Sequence, residues 1–292
     1  MPAVLPATTK FVYVSGKGGT GKSFVASLLA RGLALRGEKP VVVETQARRR
    51  SAGSGNDGSP AEFRRVIIDE EAALTDFLSA VLGLRFVAER LMRSRSFSAV
   101  AGAAPGIKDL VTLWSIAKLG SPRQGAGLVV IDAPSSGHSV PLLSSPLRTL
   151  EIVGAGPVAR TARRLAALVR DPARFSVLLV ANPEELCVRE ARLLHGQLRE
   201  SGIALAPVLI NGVYPKRADD AQSVWLSSKL DRLGSPELAL YLDQRRRHLE
   251  FVGGVRESYG EVLTLPFLFG GQGAATPVLA EELVEALFGE RE

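Results

Sequence analysis

Nine residues, Ser15-Gly16-Lys17-Gly18-Gly19-Thr20-Gly21-Lys22-Ser23, constrain this chain more than any other stretch. Gly16 to Ser23 reads G-x-x-x-x-G-K-[ST]; the apolar run Phe11-Val12-Tyr13-Val14 precedes it and a helical pattern from Phe24 to about Arg36 follows. Strand, glycine-rich turn and helix N-terminus in that order make an anion cradle. Gly16, Gly18, Gly19 and Gly21, with Thr20 among them, let backbone N–H groups close on phosphate oxygens. Lys22 is placed for the β- and γ-phosphates, and the Ser23 hydroxyl for Mg²⁺. The pattern implies a site for ATP or another nucleoside triphosphate.

Around this loop, apolar strand-like runs alternate with helical patterns. The strand candidates are Phe11–Val14, Val41–Glu44, Val66–Ile68, Leu128–Ile131, Val177–Val180, Val208–Ile210 and Val262–Leu265. Such alternation predicts an α/β fold, a doubly wound, mostly parallel sheet of the phosphate-loop NTPase type. Ligands of such sheets bind at the carboxyl ends of strands, where the loops after Val14, Val43 and Ile131 would converge. With 292 residues, 46% of them hydrophobic, residues 1–292 are long enough for a single large domain. Gln46 to Pro60 reads as an exposed loop.

Residues 70–124 interrupt the alternation with two or more helices and no strand, and are expected to form an inserted helical subdomain. Leu74, Phe77, Leu78, Val81, Leu82, Leu84 and Phe86 make one broad apolar surface. Ile107, Leu110, Val111, Leu113, Trp114 and Ile116 make another, and Arg90, Arg93 and Arg95 mark a polar junction between them. Two readings stand: a helical layer packed on the sheet, or a surface offered to an apolar protein client or membrane-associated partner.

Leu128-Val129-Val130-Ile131-Asp132 ends an apolar strand in a carboxylate, the group that a phosphate-loop site needs for its Mg²⁺. Ala133-Pro134-Ser135-Ser136-Gly137-His138 follows, a loop able to sense the γ-phosphate. Three histidines are present: His138 falls in this loop, while His195 and His248 lie in helical patterns away from any motif and read as structural or exposed. Cys187, the single cysteine, reads as a small buried residue and excludes a disulfide framework or a multi-cysteine zinc or arsenite site within one chain.

Together these motifs resemble the arsenite-pump ATPase and GET-pathway targeting ATPase family, especially its bacterial single-domain members. Gly16 to Ser23, with its second lysine Lys17, is similar to the family's deviant Walker loop. Asp132 to His138 is similar to its D-[T]-A-P-[TS]-x-G-H switch II. Asn182-Pro183-Glu184-Glu185-Leu186, ahead of Glu190, resembles its P-E-x-L-x-x-x-E stretch. Leu209-Ile210-Asn211-Gly212-Val213 and Leu265-Pro266-Phe267 resemble the strand end and loop that frame adenine. The resemblance implies a SIMIBI-like, cytoplasmic, nucleotide-sandwich homodimer that opens and closes with ATP turnover. It implies Lys17 completing the partner's site, Ser23 and Asp132 placing Mg²⁺, and Asn211, Pro266 and Phe267 holding the base.

Two departures matter. Where the family carries D-P-A-H to position the attacking water, this chain has Val43-Glu44-Thr45-Gln46. Glu44 either takes over that role or merely ends a strand, so hydrolysis is expected to be slow or partner-dependent. The C-x-x-C of eukaryotic targeting factors is missing, so no structural zinc is expected, and methionine, common in tail-anchor grooves, occurs only at Met1 and Met92.

The net charge of +6 permits a nucleic-acid partner, but the basic residues are dispersed along the chain and such a partner is not favoured. A ParA- or MinD-like positioning ATPase and the catalytic subunit of an anion pump are the alternatives. The acidic stretch from Glu281 to Glu292 argues against a MinD-type basic membrane helix. No stretch suits a transmembrane helix, and the N-terminus lacks the basic and apolar regions of a signal peptide.

Overall fold

The structure is a computed structural model that describes residues 4–45, 63–83, 106–121, 125–134, 136–215, 236–268 and 276–290. The Gln46 to Pro60 loop, Leu84, Phe86, Arg90, Met92, Arg93, Arg95 and Ser135 lie outside the described residues.

Among the described residues, seven strands form one sheet: β1 (Phe11–Ser15), β2 (Val41–Glu44), β3 (Arg64–Ile67), β4 (Val129–Asp132), β5 (Phe175–Ala181), β6 (Val208–Val213) and β7 (Val262–Pro266). Their spatial order is β3-β2-β4-β1-β5-β6-β7, and every pairing is parallel. The helices are α1 (Lys22–Leu35), α2 (Glu70–Leu82), α3 (Ile107–Leu119), α4 (Ser136–Ile152), α5 (Pro157–Val169), α6 (Glu185–Glu200), α7 (Pro236–Tyr259) and α8 (Thr276–Phe288). This is the expected doubly wound α/β architecture.

Strand alternation divides the core. All of β1 is buried, yet Phe11 and Tyr13 face one apolar cluster while Val12 and Val14 face the other. Successive side chains point to opposite faces, so a strand apolar at every position needs cover on both. Helices α1 and α8 cover one face through Leu28, Leu29 and Leu33 against Leu283, Val284 and Leu287. Their close crossing depends on Gly32, where an added Cβ would lie 2.2 Å from the Ala280 carbonyl oxygen. Thus α8, read from sequence only as an acidic end, packs its apolar stripe inside the fold.

Helices α2 to α7 contribute to the opposite cluster. Ala73 and Phe77 of α2 and Leu110, Val111, Leu113 and Ile116 of α3 are buried in the same core as β1 and β4. Phe77 meets Trp114 edge-on at 5.5 Å. Asp69 caps α2 by accepting a hydrogen bond from the Ala72 N–H at 2.8 Å. These described parts of residues 70–124 therefore turn large apolar side chains toward the sheet.

Helix α4 runs through two prolines, Pro141 and Pro146. Proline at 146 removes the N–H that the Leu142 carbonyl would accept. The buried Ser145 hydroxyl donates to that carbonyl instead, at 2.8 Å.

Candidate functional site

The loop after β1 sits where the sheet order changes direction, between neighbours β4 and β5. Its glycines hold backbone that other residues resist. Gly16 has φ 151°, and an added Cβ would lie 2.1 Å from the Val180 carbonyl oxygen of β5. Gly21 has φ 89°, and its Cβ would meet Asn211 Nδ2 at 2.3 Å. Nothing lies within 4 Å of the corresponding positions on Gly18 and Gly19. Two glycines thus press the loop onto the sheet, while two leave open space above it.

Lys22, the first residue of α1, is buried, and its ammonium donates to the Lys17 carbonyl at 2.9 Å. The Thr20 hydroxyl donates to the same carbonyl at 2.9 Å. Asn211 Nδ2 donates to the Thr20 carbonyl at 2.9 Å, so the strand end read as a base contact also braces the loop. Beneath the loop, the Ser15 and Ser139 hydroxyls share a buried hydrogen bond of 2.7 Å. Sequence reasoning passed over this link between the loop and helix α4, because serines 124 residues apart carry no local signal.

Asp132 ends β4, with Val14 of β1 and Glu44 of β2 as its register partners. The two carboxylates proposed from sequence therefore stand at adjacent strand ends beside the loop. The Thr45 hydroxyl donates to the Asp132 carbonyl at 3.2 Å. Glu44 is paired with Arg65 of β3 at 3.4 Å, and Arg65 also donates to the Ser27 hydroxyl of α1 at 3.0 Å. Ser23 follows Lys22 in the first turn of α1. A hydroxyl and a carboxylate are hard oxygen donors of the kind Mg²⁺ takes when phosphates and water complete its shell. No cluster of three acidic, histidine or cysteine ligands occurs among the described residues.

Lys17 lies across the loop and pairs with Glu190 of α6 at 3.3 Å, both side chains about a third exposed. Near them, burial pushes the Cys187 thiol up, which keeps it a protonated, inert group. On the other side, Asp109 of α3 is pushed up by burial and drawn back by the charges of His138 and Arg148. His138 is exposed at the start of α4, the helix that packs against α3 of the 70–124 segment.

A cavity of about 660 Å³ continues from the loop, lined by Gly19, Asn182 to Glu185, Asn211, Gly212 and Phe267. Pro266 ends β7, and the Phe267 N–H donates to the Val213 carbonyl at 2.7 Å, holding the proposed base loop against β6. Helix α7 and Tyr214 supply the rest of the wall, including Gln244 and His248. His248, placed by sequence away from any motif, is therefore part of the pocket. Only tertiary packing brings α7 there, since no described strand or motif connects it to the loop.

The fold and site can be set beside known proteins. The family model described as "Anion-transporting ATPase" matches residues 157–232, which run from α5 through β6 and beyond. The chain is 26% identical over 223 residues to "ATPase BagA" of Mycobacterium tuberculosis, a match covering 69% of this chain. It spans 64% of that relative's length. It is also 24% identical over 249 residues to "Putative arsenical pump-driving ATPase 2" of Aquifex aeolicus, covering 71% of this chain and 81% of the relative.

Proposed function

We infer that this chain, of the anion-transporting ATPase family, binds ATP and couples its hydrolysis to closure of a homodimer. One observation carries the reading: a glycine loop folded around a buried Lys22, with Asp132 and Glu44 at the neighbouring strand ends. The loop amides and Lys22 hold the phosphates. The Ser23 hydroxyl and Asp132, acting through water, would hold a Mg²⁺ ion that neutralises phosphate charge. Glu44, steadied by Arg65, is the carboxylate available to orient an attacking water.

Lys17 is the group for the partner's nucleotide. Its present pairing with Glu190 is partly exposed, and such pairs contribute only about 0–1 kcal/mol. A triphosphate presented by a second copy would compete for it readily. Phosphate contacts at the loop after Asp132 would be passed to α3 through α4, which packs against it. Movement of α3 is the route by which a protein client or membrane-associated partner at residues 70–124 would sense the nucleotide.

The decisive experiment is calorimetry with ATP and Mg²⁺ on Lys22→Ala. Loss of binding is expected. An ATP affinity equal to that of the unaltered chain would reject the phosphate-loop assignment.

A further inference from the structure

Helix α5 carries its charge in a way that folding does not favour. Ala159, Ala162, Leu165, Ala166 and Val169 form its buried stripe, and the helix packs on α3 and α4. Arg160, Arg163 and Arg164 lie on the opposite, exposed face at i, i+3, i+4 spacing. No carboxylate lies anywhere in Pro157–Val169. Arg160 and Arg164 form no ion pair with a described residue. Like charges at these spacings repel, and a cation in the first turn opposes the positive end of the helix dipole. An anion outside the chain would relieve both penalties.

The turn that leads into α5 adds an apolar element. From Ile152 to Ala159 the sequence Ile-Val-Gly-Ala-Gly-Pro-Val-Ala holds no charge. Ile152, the last residue of α4, is 80% exposed, more than any other large apolar side chain among the described residues. Ala155 and Pro157 are exposed further along the same turn. Arg163 donates to the Gly154 carbonyl at 2.8 Å, which ties the apolar turn to the basic face. Glu151, exposed at the end of α4, is the acid nearest the turn in sequence.

Nucleic-acid strands and lipid headgroups both present phosphate to arginine, but only a bilayer has an apolar layer beneath its phosphates. An exposed isoleucine on an uncharged turn gains nothing from a phosphodiester backbone. It gains burial at the headgroup–acyl boundary. We propose that the α4–α5 turn and the arginine face of α5 dock on an anionic lipid bilayer. Ile152 enters the boundary, and Arg160, Arg163 and Arg164 meet the lipid phosphates. This surface is separate from the nucleotide site and does not depend on the ATP-binding reading.

The test is co-sedimentation of the full chain with two vesicles, phosphatidylcholine alone and an equimolar mixture with phosphatidylglycerol. The unaltered chain should prefer the mixed vesicles by about tenfold or more and release them as salt rises. The double variant Arg160→Gln/Arg164→Gln should bind them about tenfold more weakly or worse, at roughly fivefold for each cation near an anionic surface. Ile152→Ser should weaken binding about three- to tenfold through lost apolar burial. The arginine variant should melt no lower than the unaltered chain, because it removes like-charge repulsion. A lower melting temperature would show that the chain already neutralises these charges, and would overturn the premise. Equal binding to both vesicles, binding to neither, or undiminished binding in both variants would overturn the proposal. Duplex DNA bound more tightly than the mixed vesicles, and lost only in the arginine variant, would move the face to nucleic acid and overturn the bilayer assignment. None of these outcomes bears on Lys22→Ala, so the ATP-binding reading stands or falls separately.

Discussion

Lys17 and Glu190 form the ion pair at which the proposed role of Lys17 in trans can be tested. Within the chain, the pair gives the phosphate-loop lysine a carboxylate partner. Across a dimer, the same ammonium would meet negative charge developing on a transferred phosphoryl group, where a cation is worth far more. Glu190→Gln should release Lys17 and raise ATP turnover by about two- to fivefold, consistent with a pair worth up to about 1 kcal/mol. A phosphate-release assay reads this directly, and unchanged or lower turnover counts against the competition. His195 supplies a second residue-scale prediction. It packs on Tyr259 at 4.5 Å, and burial together with Arg199 lowers its pKa. With the folded pKa lowered, the unfolded chain takes up the proton first as pH falls. The histidine's contribution is fully present above the unfolded pKa of about 6.5 and lost as pH drops through the folded value. Melting temperatures between pH 7 and pH 5 should therefore fall less steeply in His195→Gln than in the unaltered chain.

At the scale of elements, two helix contacts test the packing. Gly32 lets α1 and α8 cross closely, and Gly32→Ala must displace the Ala280 backbone. The better helix propensity of alanine, worth about 1 kcal/mol, works against that strain. The net expectation is a loss of about 1–3 kcal/mol in urea unfolding, the usual range for an overpacked core. A stabilised variant would show that α8 does not hold this position. The apolar residues of α2 and α3 carried two readings in the sequence because periodicity reveals an apolar face without its neighbour. Phe77, Leu110 and Leu113 are deep in the main core, so these three serve folding. The packing of α3 against α4 had no counterpart in the sequence, since only the layer arrangement brings the two helices together.

For the whole molecule, the parallel sheet places its functional groups at one edge by topology. Strands β1, β2 and β4 are neighbours and run the same way, so the loop, Glu44 and Asp132 converge without any local device. Phe267 is 43% exposed on the same molecule, and α6 carries Leu186 and Leu193 at 56% and 63% exposure beside Glu190. A second copy closing over the nucleotide would cover such surface. Analytical ultracentrifugation should show a monomer without nucleotide and a dimer with Mg²⁺ and a non-hydrolysable ATP analogue. Lys17→Ala should retain ATP binding and lose the dimer; a Lys17→Ala dimer of normal strength would deny the lysine its role in trans. Among the described residues no helix is long and apolar enough to cross a membrane.

The local chemistry was legible without coordinates because it is written in contiguous residues. Gly16 to Ser23, the strand ending at Asp132 and the alternation of strands and helices each depend on neighbours in sequence, and each predicts its own geometry. Strand limits shifted by a residue or two, as at Arg64–Ile67, where charged Arg64 and Arg65 sit on an edge strand that tolerates them. What joins distant segments was decided by tertiary structure: Ser15 with Ser139, Lys17 with Glu190, Asn211 with the Thr20 carbonyl, and α7 with the pocket. Those contacts bridge segments widely separated along the chain, and their side chains carry no spacing rule. Sequence specified the phosphate loop through backbone conformation, while the packing of layers chose which side chains surround it.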